Sequence, residues 1–173
     1  MKNYKEQLKH ITTFIFDYDG VLTDGTVIMM PNGDGLRVSS VKDGYAIQLA
    51  IKKGFRVAVI SGAQSESMMQ RLKALQVKDI FLGVDNKVEV FRNYINKHNI
   101  PPSQVLYMGD DIPDYEIMKL AGVPVCPSDA AEEIRNAAVY ISHYAGGKGC
   151  ARDVIEQVLK VQAKWQNDDA YQW

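Results

Sequence analysis

A strand-forming run over residues 11–16 ends abruptly in two carboxylates, Asp17 and Asp19, with Tyr18 between them and Gly20 after them. A buried strand that delivers acids at its C-terminal end builds a site, because ligands of open α/β sheets bind outside that end. Two close carboxylates raise each other's proton affinity unless a cation or distinct roles separate them. The pair therefore implies a divalent metal, with one acid as nucleophile and the other as proton donor.

The rest of the chain alternates in the same style. Residues 55–60, 80–82, 105–108, 123–125 and 139–142 read as extended segments, and helix-period stretches lie between them. Tyr45, Ala46, Leu49 and Ala50 share one helical face, with Asp43 placed to cap it and Gly54 to end it. Met68, Met69, Leu72 and Leu75 mark a second helix. Val88, Phe91, Tyr94 and Ile95 mark a third, stopped before Pro101 and Pro102. Residues 114–120 and 130–136 read as helices, and 150–165 as a long terminal one. The turn formers of residues 31–35 join two short strands, 27–30 and 36–40, into a hairpin. The pattern predicts an α/β fold, a doubly wound parallel sheet with a β-hairpin flap and no cap domain. Its 173 residues suit one domain over 1–173, enough to bury roughly two-thirds of the unfolded chain's surface.

Composition narrows the partners. A net charge of −1 without a basic run gives no reason to expect nucleic acid or an anionic membrane. No window approaches the roughly 18 apolar residues that cross a bilayer, and residues 1–10 lack the apolar centre of a signal peptide. Cys126 and Cys150 fit neither a disulfide framework nor a zinc spacing, which points to a cytoplasmic setting. Residues 166–173 are polar with an aromatic end and read as a tail without a home in the core of their own chain.

Four positions fall just past predicted strands on one rim of the sheet: Asp17 with Asp19, Ser61 with Gly62, Lys87, and Gly109-Asp110-Asp111 with Asp114. They supply acids for a cation, a hydroxyl and a free amide for an anion, and an ammonium to balance charge. Phosphoryl transfer needs that inventory, since its catalysis is mostly positioning and neutralising oxygens. Ser61 can also serve as a helix cap, and Lys87 also suits an exposed helix start. His143 reads as structural, and His10 and His98 as surface residues. The paired methionines at 29–30 and 68–69 fit core or interface packing.

At these residues the chain resembles the haloacid dehalogenase superfamily of phosphohydrolases. Asp17-Tyr18-Asp19-Gly20, Ser61, Lys87 and the acidic run from Gly109 to Asp114 match its four motifs in order. The resemblance implies that Asp17 attacks phosphorus to form an aspartyl phosphate. It implies that Asp19 protonates the leaving alcohol and then deprotonates the hydrolytic water. It implies Mg2+ held by Asp17, the Asp19 carbonyl and Asp110, with Ser61 and the Gly62 amide on phosphoryl oxygens and Lys87 offsetting charge. Asp111 and Asp114 are expected to support the metal's ligands and the loop.

Between Asp19 and Ser61, and between Lys87 and Asp110, no cap domain fits. The segment from Asp19 to Gly25, the hairpin, residues 41–44 and the run from Gly146 to Arg152 resemble the capless sugar-acid phosphatases of that superfamily. This implies hydrolysis of 3-deoxy-D-manno-octulosonate 8-phosphate in lipopolysaccharide precursor synthesis, a homotetramer built through the hairpins, and a neighbour's tail over the site. Residues 166–173 are then either such a lid or a disordered end. Arg71 and Arg152 are the candidate cations for the sugar acid's carboxylate, or else structural partners of an acid. Many relatives carry Arg where this chain has Ala63. A nine-carbon sialic-type acid 9-phosphate is the alternative substrate, against which Ala63 and Ala74 weigh. Two other classes stay open: a receiver-like phosphoacceptor, which would lack Asp19, and a non-catalytic assembly module.

Overall fold

The computed structural model describes residues 3–165. Six parallel strands form one sheet: β1 (Thr13–Phe16), β4 (Arg56–Ile60), β5 (Asp79–Phe81), β6 (Val105–Met108), β7 (Val123–Cys126) and β8 (Tyr140–Ile141). Their order, β5-β4-β1-β6-β7-β8, puts β1 at the middle, and the chain builds outward from it first on one side and then on the other. That reversal opens a crevice at the C-terminal end of β1, where Asp17 follows.

The central strands are buried on both faces, and their side chains alternate between two cores. Phe14, Phe16, Val57, Val59, Leu106 and Met108 pack with α1 (Tyr4–Leu8), α2 (Val41–Lys52), α3 (Glu66–Ala74) and α7 (Cys150–Val161). Ile15, Ala58, Ile60, Val105 and Tyr107 face α4 (Lys87–Lys97), α5 (Tyr115–Leu120) and α6 (Glu132–Ala137). Burying one such Phe or Ile side chain contributes roughly 1.5–3 kcal/mol, so the period of two along β1 commits helices to both faces. A separate antiparallel pair, β2 (Ile28–Met29) and β3 (Gly35–Leu36), forms the hairpin.

Several local expectations are corrected. Ser40, not Asp43, caps α2, its side chain accepting from the Asp43 amide at 3.2 Å. Asp43 turns away to accept from the amides of Gly149 (3.1 Å) and Arg152 (2.7 Å), so this carboxylate sits at the N-terminus of α7, where the helix dipole favours it. Helix α7 ends at Val161 rather than continuing to 165, and its last carbonyls are closed by Ala163 at φ 55° and the Lys164 amide. Helix α1 was not expected at all; Asn3 caps it and Leu8 anchors it in the core. Gly54, with φ 85°, ends α2 as read from the sequence. Among the described residues no helix is long and apolar enough to cross a membrane. The tail at 166–173 lies outside the described residues.

Candidate active site

The acids follow from the strand ends. The Asp17 amide continues the β1–β6 ladder by donating to the Met108 carbonyl at 3.0 Å, which fixes the side chain at the rim. One Asp17 oxygen accepts from the Tyr18 amide at 2.7 Å, and the other lies 3.0 Å from Lys87 Nζ. Lys87 is the first residue of α4, capped by Asn86, and its ammonium also meets Asp114 Oδ1 at 2.7 Å. Asp114 is fully buried, accepting from the Tyr107 hydroxyl at 2.6 Å and from the Asp110 amide at 3.1 Å. It therefore braces both Lys87 and the loop that presents Asp110, the supporting part expected of it.

Carboxylate oxygens of Asp17, Asp110 and Asp114 lie within 4.8 Å of one another. Three carboxylates against the Lys87 ammonium leave two negative charges uncompensated. The proton affinities register this. Burial, then the charge of Asp114, pushes Asp17 up to about 7 despite Lys87. Burial, then Asp17 and Asp114, pushes Asp110 up to about 7 as well. Burial alone pulls the Lys87 ammonium down, but Asp17 and Asp114 outweigh it and the net shift is upward. Gly20 adds a geometric sign: with φ 78°, it is where a Cβ would run into the Asp110 carboxylate, so only glycine lets that acid approach the Asp17 loop. Hard oxygen donors, two surplus charges and a cradle kept free of side chain fit a magnesium ion. Asp17 and Asp110 are placed to hold it, with Asp114 already engaged by three donors behind them.

A cleft of about 800 Å³ opens over this cluster, lined by Asp17, Asp19, Ser61, Gly62, Lys87 and Asp110 among others. Six of the residues singled out from the sequence thus converge. Ser61 is buried, and its Oγ accepts from the Ala63 amide at 3.2 Å. The helix cap nearby is Ser65, which takes the Met68 amide, so Ser61 is not needed for that purpose. Arg71 and Arg152 are not among the residues lining this cleft. Arg71 lies beneath Gly44 in α2, its Nε buried without a partner among the described residues. Arg152 sits near the rings of Tyr45 and Trp165, 5.6 and 5.4 Å from their centroids, with Nε 3.4 Å from Glu156. The run from Gly146 to Arg152 also stays out of the cleft. It braces the Asp17 loop instead: Gly147 donates to the Val21 carbonyl at 2.9 Å, and a Cβ on Gly146 would strike the Gly20 carbonyl.

Two partners escaped the sequence reading. Tyr107 reaches Asp114 from inside β6, and only its period-two position facing α4 could have suggested this. Arg37, just after β3, grips Asp19 with Nε–Oδ1 at 2.7 Å and Nη2–Oδ2 at 3.0 Å.

Comparison with known proteins agrees with this geometry. Residues 79–152 match the model of the haloacid dehalogenase-like hydrolases. The 3-deoxy-D-manno-octulosonate 8-phosphate phosphatase of Salmonella typhi is 35% identical over 156 residues, covering 90% of this chain and 83% of that protein. The crystal structure of the Yersinia pestis phosphatase of the same name superposes with a TM-score of 0.91 at 29% identity, covering 94% of this chain and 88% of that one. The Moraxella catarrhalis phosphatase, solved in complex with magnesium ion, phosphate ion and KDO, gives 0.90 at 32% identity, with 94% of each chain covered. By its four motifs in order, its sheet order and this likeness over most of its length, the chain belongs to the 3-deoxy-D-manno-octulosonate 8-phosphate phosphatase family of haloacid dehalogenase-like hydrolases.

Proposed function

We propose that this protein is a magnesium-dependent phosphomonoesterase that hydrolyses 3-deoxy-D-manno-octulosonate 8-phosphate to the free sugar acid and phosphate. The observation that carries this reading is Asp17, buried at the strand end with one oxygen beside Lys87, under an open cleft that also exposes Asp19. An Asp17 oxygen attacks phosphorus while the bond from phosphorus to the sugar oxygen breaks. Asp19 gives its proton to that departing oxygen. Asp19 then takes a proton from water, the water oxygen attacks phosphorus, and the Asp17 carboxylate leaves. Ser61 and the Gly62 amide face the phosphoryl oxygens, and Lys87 holds the Asp17 charge in place. Asp17, the Asp19 carbonyl and Asp110 would hold magnesium, which would supply positive charge against the phosphoryl oxygens. Asp19 separates this chemistry from that of a receiver, which keeps its phosphate for want of such an acid.

The remaining parts of the reading concern assembly and place. The hairpin leaves Ile28 and Met29 54% and 69% exposed, beside Val38 at 63%, a surface suited to other copies of the chain. We infer a homotetramer joined there, in which residues 166–173 of a neighbour serve as the lid over the cleft. Sedimentation equilibrium should give four chains per particle; a monomer at micromolar concentration would remove this part. Two buried free thiols, Cys126 and Cys150, suit the reducing cytoplasm.

Substrate choice is tested by comparing kcat/KM for the eight-carbon acid 8-phosphate and a nine-carbon sialic-type acid 9-phosphate. The eight-carbon compound should win by at least about tenfold, the scale of one or two pocket contacts. A preference for the nine-carbon compound would overturn the assignment while leaving the phosphatase chemistry intact.

A further inference from the structure

Asp19 is held from behind by a residue that does not face the substrate. Arg37 is not among the residues lining the cleft, whereas Asp19 is. Each Asp19 oxygen accepts one hydrogen bond from the guanidinium fork, which leaves a second lone pair on each for the proton, and the third nitrogen of Arg37 donates to the Gly35 carbonyl at 2.7 Å. The Arg37 side chain is only 9% exposed, so this is not the solvated pair whose worth is usually below about 1 kcal/mol. Around it, Thr23 Oγ1 lies 3.4 Å from Asp19 Oδ1, Thr23 pairs with Ser39, and the Tyr18 hydroxyl lies 3.4 Å from Ser39 Oγ. The strand leaving the hairpin is thereby laced to the loop that carries Asp17 and Asp19.

A planar two-point grip fixes both the χ angles and the face of a carboxylate, which a single-point ammonium cannot do. We propose that Arg37 is a positioning residue that aims the Asp19 carboxylate at the leaving oxygen, so that the hairpin sets the geometry of proton transfer. The inference rests on the reading of Asp19 as the acid. It predicts that Arg37 matters in proportion to how much the leaving group needs a proton. It also predicts that Arg37 does nothing once Asp19 is gone.

The test is kcat/KM, with saturating magnesium, for glycerol phosphate and p-nitrophenyl phosphate, both free of a carboxylate. The proteins are the wild type, Arg37→Ala, Arg37→Lys, Asp19→Ala and the Asp19→Ala/Arg37→Ala double variant. General acid catalysis is worth about 10²–10⁴. Arg37→Ala should therefore lower kcat/KM for glycerol phosphate at least about tenfold more than for p-nitrophenyl phosphate. Arg37→Lys should recover part of that loss, and the double variant should match Asp19→Ala within about twofold. Equal losses on both substrates would overturn the proposal and leave Arg37 as a hairpin anchor. A further loss in the double variant would overturn it in favour of direct substrate contact. If Asp19→Ala itself shows no dependence on the leaving group, the acid assignment fails and this inference with it. Should Arg37→Ala fail to fold, Arg37→Gln carries the same comparison, since its amide can still donate to one Asp19 oxygen but cannot fork.

Discussion

Replacing Asp17 with Asn should abolish turnover, by at least about four orders of magnitude on the scale of other nucleophile deletions, while the fold stays intact. The amide is nearly the same shape, and its oxygen can still accept from the Tyr18 amide that holds Asp17 at 2.7 Å. Lys87 keeps Asp114 at 2.7 Å. What is lost is the negative charge that makes the Asp17 oxygen a nucleophile toward phosphorus. Electrostatically the substitution relieves the site, because Asp17 is the second cause, after burial, of the raised proton affinity of Asp110. The variant should therefore unfold at or above the wild-type temperature without metal. Comparable phosphate release by Asp17→Asn would remove the nucleophile assignment, and loss of the folded state would make the residue primarily structural.

Removing magnesium should destabilise the protein, and more so at higher pH. Asp17 and Asp110 are both pushed up to about 7, first by burial and then by neighbouring acids. A carboxyl group whose folded value lies above its unfolded value contributes stability that is full below about pH 4 and lost as pH rises through about 7. Metal-free protein should thus lose Tm between pH 5 and pH 8. Saturating magnesium should offset the loss, because a cation binding only the folded state contributes about 2.7 kcal/mol at one hundred times its Kd. At roughly 2–4 °C per kcal/mol for a chain of this size, the magnesium-induced rise at pH 8 should be on the order of 5–10 °C, and small at pH 5. Lys87→Met should sharpen the dependence. It strips the cation from two buried acids, a class of change that costs about 3–5 kcal/mol, and leaves more charge for magnesium to offset. Differential scanning calorimetry at the two pH values decides it. A magnesium response that is equal at both, or larger at pH 5, would contradict the charge balance drawn for Asp17 and Asp110.

Much of this architecture can be read from residues in order along the chain. β1 announces itself by a strand-forming run that stops at a carboxylate, and Ser61 and Asp110 repeat the device just past β4 and β6, while Lys87 opens the helix that follows β5. Each of those signals is local: an apolar strand, then a polar group at its exit. What could not be read depends on which segments fold back on one another. Arg37 reaches Asp19 across 18 positions because the hairpin doubles over the loop, and nothing near Arg37 in sequence marks it as more than a strand cation. Asp43 resembles a cap because it opens a helix-period stretch, yet α7 offers it two amides from over 100 positions away. For Arg152 the sequence leaves open a substrate contact or a structural pairing with an acid; in its own subunit Glu156 lies 3.4 Å from its Nε, and Tyr45 and Trp165 flank the guanidinium. The end of α7 at Val161 follows from the left-handed turn at Ala163, which carries no glycine to signal it.

The covalent intermediate on Asp17 is the centre of the account. Its most direct test is an acid quench during the first turnover with the sugar-acid phosphate and magnesium, followed by mass spectrometry of the peptide that carries residues 13–20. A phosphoryl group on Asp17 should rise before free phosphate and fall as phosphate appears, and it should be absent from Asp17→Asn. Full product formation with no label at Asp17 at any time, or with the label on another residue, would contradict it.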